Sequence, residues 1–417
     1  MAKLDYDIVI IGGGSAGLAS AIGAYDDGTK SIVILEKGDY LGGILLQCIH
    51  AGFGLQTFKE ELTGPMYAER FIEEVKKRNI EYKLQTMVLN FNEVEDHLEV
   101  TYSNAVDGYK TIKCRSIIMA VGCIERTRGQ IATPGDRPSG VMCAGVAQKY
   151  LNIDGQKIGK NVFILGSGDI GLIMARRMVL EGANVLGVAE IMPYSNGLNR
   201  NIVQCLNDYN IPLYLHHTVK EIIGKDRLEK IVLAEVDDNL NVIEGTEQEF
   251  EVDTLLLSIG LIPSTTLLTD AHVKMDPLTK SALVDDNLQT SIKGVFACGN
   301  GLHVHDLVDF VSKEGLKAGQ NASFYCKGLL SNEELIPVKN GNLVNYVLPQ
   351  ATHKADVTIF FRVKKPLKNC YLVAMQGDKE IKRVKKLYMI PSEMDNIKIT
   401  KDLLVSDSEI VIKVEED

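Results

Sequence analysis

Two short stretches constrain this chain more than anything else in it. Gly12-Gly-Gly14-Ser15-Ala16-Gly17 follows an apolar, β-branched run from Asp7 to Ile11 and opens directly into an Ala/Leu helical pattern. The same order returns at Gly166-Ser-Gly168-Asp169-Ile170-Gly171, after Asn161-Val-Phe-Ile-Leu165. In each copy a second apolar strand ends in a carboxylate, Glu36 or Glu190, 24 positions after the first glycine (36 − 12 and 190 − 166). In this pattern the first glycine makes a tight turn, the second lets backbone approach a pyrophosphate, and the third lets helix and strand pack closely. The phosphates then meet free N–H groups and the positive end of a helix dipole, and the carboxylate accepts hydrogen bonds from a ribose. The repetition predicts two dinucleotide-binding units. In the first, Gly12, Gly14, Ser15, Ala16, Gly17, Glu36 and Lys37 are expected at the nucleotide; in the second, Gly166, Gly168, Asp169, Ile170, Gly171 and Glu190.

At 417 residues the chain exceeds one ordinary core, and two or three domains are expected. Its net charge of −10 and lack of a basic stripe argue against a nucleic-acid surface. No apolar run approaches membrane-spanning length, and the N-terminal stretch reads as a strand, not a signal peptide. The eight cysteines contain no Cys-x-x-Cys, so neither a metal site nor a disulfide framework is indicated, and a cytoplasmic protein with free thiols is expected.

Between the fingerprints, Leu62-Thr-Gly-Pro65 starts a helix to about Arg78, since proline suits a first helical turn. Residues 82–91 and 97–102 alternate like an antiparallel meander, with Val88 placed against an adenine. Ser116 to Gly122 is a buried strand ending in glycine. The second unit continues through a helix near 199–209 and a hairpin at 229–242, to Thr254–Gly260. Ser291 to Asn300 is a further strand, followed by a helix to about Lys327. From Ser331 the texture becomes short alternating runs, a small all-β module. The expected class is therefore α/β, with two Rossmann-like dinucleotide-binding domains and a small C-terminal all-β domain. The expected boundaries are 1–125 with 263–330, 126–262, and 337–417.

The order of these elements resembles the FAD/NAD(P)-dependent pyridine nucleotide-disulfide oxidoreductases of thioredoxin-reductase architecture, over residues 5 to about 328. The resemblance rests on both fingerprints, Leu62-Thr-Gly-Pro65, Ala120-Val-Gly122, Gly260-Leu-Ile-Pro263 and Gly294-Val-Phe-Ala-Cys-Gly299-Asn300. It implies FAD in the first unit and NAD in the inserted second, and adds Gly43, Gln47, Val88, Ala120, Gly122, Gly260, Gly299 and Asn300 to the cofactor-binding set. Where the family usually carries Gly-Asp, Asn300 offers a carbonyl oxygen for the same flavin contact. Gly43-Ile-Leu-Leu-Gln-Cys-Ile-His50 and Cys298-Gly-Asn-Gly-Leu-His-Val-His-Asp306 look like the subfamily of flavoprotein subunits associated with glycerol-3-phosphate dehydrogenase, hydrogen cyanide synthase and opine oxidase.

Hydride transfer between nicotinamide and flavin needs positioning and water exclusion more than acid–base residues. Disulfide reductases add a redox cysteine pair. Cys143-Ala-Gly-Val146 stands about where thioredoxin reductases place theirs, but lacks the second cysteine. Cys48 resembles the single cysteine of NADH oxidases and peroxidases, which use a sulfenic acid; the alternative is a small buried hydrophobe. His50, His303, His305 and Asp306 lie on two segments expected near the flavin, as a proton relay or as groups that merely satisfy a turn.

The resulting expectation is an FAD-dependent oxidoreductase exchanging electrons between NAD(H) and a partner redox flavoprotein or iron–sulfur protein. That partner would be a second, glycerol-3-phosphate dehydrogenase-like subunit, with a small Cys-rich protein as a further candidate, in an oligomeric complex. The alternatives are a self-contained NADH oxidase or peroxidase using Cys48, and a non-catalytic, NAD-sensing flavoprotein scaffold. Lys364-Lys365, Lys368, Lys382-Arg383 and Lys385-Lys386 give the tail a basic run. It reads either as a docking face or as charge that keeps edge strands from pairing.

Overall fold

The computed structural model describes residues 3–331 and 333–417. The chain divides into two compact units: one runs to Cys123 and resumes at Pro263, and the other is Ile124–Ile262.

In the discontinuous unit, strand Tyr6–Ile11 lies between Ile32–Leu35 and the end of Gly108–Met119, parallel to both. Glu81–Lys83 extends the sheet on one side and Val295–Ala297 on the other, also in parallel. Ile8, Val9 and Ile10 are wholly buried, as a strand covered on both faces must be. Helices Ser15–Asp26 and Val308–Cys326 approach at backbone distance. A Cβ on Gly315 would stand 2.4 Å from the Ala16 carbonyl oxygen, and one on Gly319 only 2.0 Å from that of Ser20. Strands Met87–Val94, His97–Asn104 and Gly108–Met119 form the expected antiparallel meander. The expected helix after Leu62 is Gly64–Lys77, with Thr63 as its cap.

The second unit has five parallel strands, in the order Val141–Cys143, Thr254–Leu257, Asn161–Leu165, Asn184–Glu190, Leu213–Leu215. Beside it, His217–Gly224, Leu228–Glu235 and Gln248–Glu251 form an antiparallel sheet. The hairpin expected at 229–242 is displaced. Leu228–Glu235 turns back on the preceding strand through the short Gly224–Leu228 turn, and only a single bridge joins Val236 to Val242.

The all-β tail belongs to the same compact unit as the first fingerprint. A five-stranded sheet (Ala351–Thr352, Ile336–Asn340, Ile410–Glu416, Leu367–Gln376, Lys379–Met389) and a three-stranded one (Val344–Leu348, Val357–Val363, Asp395–Ile399) enclose a core that includes Phe361, Leu372 and Ile412. The tail is tied to the rest of its unit by polar contacts. His353 Nδ1 lies 2.6 Å from Asp286 Oδ1, and the Arg362 guanidinium pairs with the Asp306 carboxylate. The basic run is largely met from within: Lys365 pairs with Glu416, Arg383 with Glu380 and Glu415, and Lys386 with Asp395. That weakens its field at a distance. Among the described residues no helix is long and apolar enough to cross a membrane.

Candidate active site

The first fingerprint folds as a cradle with no room for a side chain at Gly12 or Gly17, while Gly14 leaves space beside it. Gly12 has φ +105°, and a Cβ there would lie 2.4 Å from the Ala120 carbonyl oxygen. Helix Ser15–Asp26 starts at Gly14 without a side-chain cap, so the N–H groups around Gly14, Ser15, Ala16 and Gly17 are those a phosphate would meet. Gly43 runs beside this turn, its Cβ position 3.0 Å from the Gly14 Cα. Glu36, nearly buried, accepts from the Gly13 N–H at 2.6 Å and from the Gly38 N–H at 2.6 Å. The carboxylate expected at the ribose thus also fixes the glycine turn, with Lys37 next to it in sequence. Val88 is buried on its strand. This geometry fits a flavin nucleotide: an uncapped helix start, glycines at backbone contact, and an acid at the strand end.

Gly299 and Asn300 close the cradle from the other part of the chain. Gly299 has φ +68°, and a Cβ on it would press to 2.7 Å from that of Ala16. The Gly301 backbone passes close to Gly122, its Cβ position 3.2 Å from the Gly122 nitrogen. The Asn300 carbonyl oxygen accepts from the His305 N–H at 3.0 Å. One of its two lone pairs is therefore engaged inside the loop, which the sequence alone does not reveal.

The residues expected to carry chemistry fall into two local groups. In the first, Gln47 ends a short 3-10 turn, Gly43–Gln47, and Cys48 follows it. Cys48 is buried, its Sγ 3.4 Å from the Ile44 carbonyl oxygen, and burial pushes its thiol up to about 12. That is the opposite of the low thiol pKa a sulfenate-forming cysteine needs. His50 packs its ring against Phe53, 5.1 Å between centroids.

In the second group, the His303 and His305 rings meet at 4.1 Å between centroids, tilted by 59°, with side chains 1% and 3% exposed. Both face Glu314, which the sequence reading did not single out. His303 Nε2 lies 2.9 Å and His305 Nε2 3.6 Å from Glu314 Oε1, while Glu314 Oε2 accepts from the Gly299 N–H at 2.6 Å. The two imidazoles hold the Glu314 carboxyl below its ordinary range against the pull of burial, and burial followed by the His305 charge pushes His303 down. Asp306 has a different employment. One oxygen pairs with Arg362 and the other accepts from the Met394 N–H at 2.6 Å. Its place is therefore structural.

The second fingerprint repeats the first one's logic. Gly166 has φ +98° and a Cβ on it would lie 2.1 Å from the Ser258 carbonyl oxygen; helix Asp169–Leu180 starts at Gly168 without a side-chain cap. Gly171 donates its N–H to Ser258 Oγ at 3.0 Å. Glu190 is buried and accepts from the Ser167 hydroxyl at 2.7 Å and the Met192 N–H at 3.0 Å. Asp169 braces the 198–201 segment, accepting from the Leu198 N–H at 2.8 Å and the Asn201 amide at 2.6 Å, beside Ile170. Gly260, with φ +103°, accepts through its carbonyl from the Arg126 N–H at 3.0 Å. Cys143 stands at the start of helix Ala144–Asn152 with its Sγ 3.4 Å from the Arg126 carbonyl oxygen. Glu125 accepts from the Gly145 N–H at 2.7 Å there, and burial with the Glu125 charge raises the Cys143 thiol.

Comparison with known proteins agrees with this cradle. Residues 6–323 match the family described as pyridine nucleotide-disulphide oxidoreductase. The thioredoxin reductase of Mycoplasma genitalium is 25% identical over 301 residues, covering 71% of this chain and 87% of the relative. That of Listeria monocytogenes is 25% identical over 342 residues, covering 79% and 96%. The crystal structure of T. acidophilum thioredoxin reductase superposes with a TM-score of 0.64 at 26% identity, covering 79% of this chain and all of that one. These relatives overturn the expected role and partners: they are thioredoxin reductases, not subunits serving a glycerol-3-phosphate dehydrogenase-like flavoprotein, and the narrower subfamily is not what they show. The chain belongs to the pyridine nucleotide-disulphide oxidoreductase family and is an FAD-dependent NAD(P)H oxidoreductase.

Proposed function

We propose that this chain is an NADH-preferring reductase of thioredoxin-reductase-like function, with FAD in the first dinucleotide-binding domain, NAD in the second, and a thiol-based acceptor. When bound, FAD supplies the step from hydride donor to two-electron reductant. The protein's own contribution is to bind, orient and exclude water. The observation that carries the NADH preference is Glu190, a carboxylate at the end of the second strand of the NAD unit, followed by Ile191-Met192-Pro193 with no arginine. A carboxylate there bonds a ribose 2′-hydroxyl and repels a 2′-phosphate.

Thioredoxin-like chemistry has one departure in this sequence. Val146 stands where a second cysteine would follow Cys143, so electrons cannot be stored as a disulfide between these two positions. The acceptor disulfide RSSR is instead opened by the thiolate form of Cys143, a minor form near neutral pH because burial and the Glu125 charge raise its thiol, so the step quickens as pH rises. A mixed disulfide forms, and the leaving thiolate takes a proton from solvent to give one thiol. Two electrons and one further proton then release the second thiol and restore Cys143. The balance is NADH + H⁺ + RSSR → NAD⁺ + 2 RSH.

The test is stopped-flow reduction of the flavin by NADH and NADPH, followed by reoxidation with an oxidised thioredoxin or a low-molecular-weight disulfide. Fast bleaching by NADH and disulfide turnover lost in Cys143→Ser are expected. Equal efficiency with NADPH refutes the preference, and disulfide turnover retained in Cys143→Ser refutes the cysteine's role.

A further inference from the structure

The feature that neither fingerprint accounts for is the carboxylate buried against two adjacent imidazoles beside the Gly299–Asn300 turn. Glu314 lies in the second turn of helix Val308–Cys326 and is 8% exposed. One of its oxygens holds the Gly299 N–H at 2.6 Å; the other receives His303 at 2.9 Å and faces His305 at 3.6 Å. The remaining ring nitrogens, Nδ1 of both histidines, are buried without a hydrogen-bond partner. With a neutral imidazole donating from Nε2, Nδ1 is a bare acceptor. A proton added at such a nitrogen leaves a buried N–H without an acceptor, so the pair holds it only because the adjacent Glu314 carboxylate offsets its charge.

The groups that face this triad come from every element around it. Arg362 bears on His303 from the tail, and its partner Asp306 follows in the same loop as the histidines. Tyr346 meets the His303 ring at 6.3 Å between centroids, and Phe360 at 6.2 Å. Lys317, one turn along the helix, is pushed down by burial against the charges of Asp286, Glu314 and Asp285. The fixed charges around the triad therefore come largely as opposed pairs, and the imidazole proton is its main free variable.

We propose that Glu314 is a positioning residue of the flavin site, which fixes the Gly299–Asn300 turn through the Gly299 N–H and, with His303 and His305, holds a proton that compensates charge on the reduced cofactor. This rests on the assignment of FAD to the first unit. A hydride brings two electrons and one proton to FAD, and so leaves one net negative charge. The histidine pair takes the balancing proton from solvent, and Glu314 transmits the change through one hydrogen bond to the turn. In a low-dielectric setting such a charge acts at longer range than it would in water.

The experiment is spectroelectrochemical titration of the FAD-loaded enzyme from about pH 5.5 to about pH 8.5, spanning the ordinary imidazole range, for wild type, Glu314→Gln and His305→Gln. Wild type should show a break in the plot of midpoint potential against pH. Glu314→Gln keeps the shape of the side chain but loses its charge, and should shift the potential and displace or abolish the break. His305→Gln leaves the bonds from Glu314 to Gly299 and His303, and should abolish the break with a smaller shift in potential. Should Glu314→Gln fail to fold or to hold FAD, His305→Gln decides alone. Superimposable plots for wild type and every FAD-loaded variant overturn the proposal. A wild-type protein that binds no FAD at all refutes the cofactor assignment instead.

Discussion

Replacing Arg362 by methionine tests how far the tail is part of the flavin unit. Arg362 is 15% exposed and Asp306 17%. Besides the ion pair, its guanidinium donates to the carbonyls of Val304 at 3.0 Å, Pro391 at 3.2 Å and Ser392 at 2.6 Å. Methionine fills the volume but strands a carboxylate and three carbonyls. Removing one partner of a buried pair costs about 3–5 kcal/mol, and the residual exposure of both side chains places this case near the lower figure. For a large domain, about 2 °C of melting temperature is lost per kcal/mol, so R362M should melt about 6 °C lower. Asp306→Leu combined with Arg362→Met removes both charges and should recover part of that loss, which a double-mutant cycle reads as coupling. The assay is thermal unfolding followed by far-ultraviolet circular dichroism and by flavin fluorescence, since the chain has no tryptophan to report on it. If R362M melts with wild type and releases flavin at the same temperature, the clamp contributes nothing and the tail is an appendage.

Glu36→Ala removes the carboxylate proposed at the ribose, which also bonds the Gly13 and Gly38 N–H groups, and a lost bond to a charged group costs about 1.5–3 kcal/mol; FAD affinity measured by fluorescence titration should fall at least about tenfold. Glu190→Ala should narrow the NADH-to-NADPH ratio of kcat/KM, chiefly by relieving repulsion of a 2′-phosphate; an unchanged ratio would falsify its assignment. The Glu314 and His303 shifts set the acid limb of stability. Both folded-state values are depressed, so each contributes stability above its unfolded value, near 6.5 for His303 and 4.5 for Glu314, that is lost as pH falls through and below these values. Urea midpoints should drop from about pH 7 to about pH 4 in wild type and drop more in Glu314→Gln, which loses the charge that raises His303; parallel curves would contradict this.

Much of the cradle was legible because its constraints are local. A glycine turn at the end of a buried strand, and an acid at the end of the next, follow from residues a few positions apart, and Pro65 marks a helix start by its own geometry. Glu314 was not legible. It sits among Gly315, Ala318 and Gly319, where a charged residue on a helix normally faces water, and only the fold brings the Gly299 turn over it. Asp306 and Arg362 are 56 positions apart (362 − 306), in segments whose patterns say nothing of each other. The partners of the basic run were hidden for a similar reason, since Glu415 and Glu416 reach it from a strand later in the chain. The hairpin at 229–242 slipped because apolar alternation continues through both candidate turns, and periodicity alone cannot choose a register.

The close packing of Ser15–Asp26 on Val308–Cys326 sets an order of events during synthesis. The first helix has its side of the seam, around Ala16 and Ser20, ready as soon as Asp26 has been made, but the glycine-lined surface that meets it begins only at Val308. Val295–Ala297, which completes the sheet beside Ile117–Met119, is nearly as late. The intervening unit, Ile124–Ile262, has its own cores and needs nothing from further along the chain to fill them. On the ribosome the second fingerprint can therefore become a finished domain while the first is still an open half. The unit Ile124–Ile262 should resist protease before the discontinuous unit does, and, with FAD held as proposed, newly made chains should acquire it only after helix Val308–Cys326 has emerged.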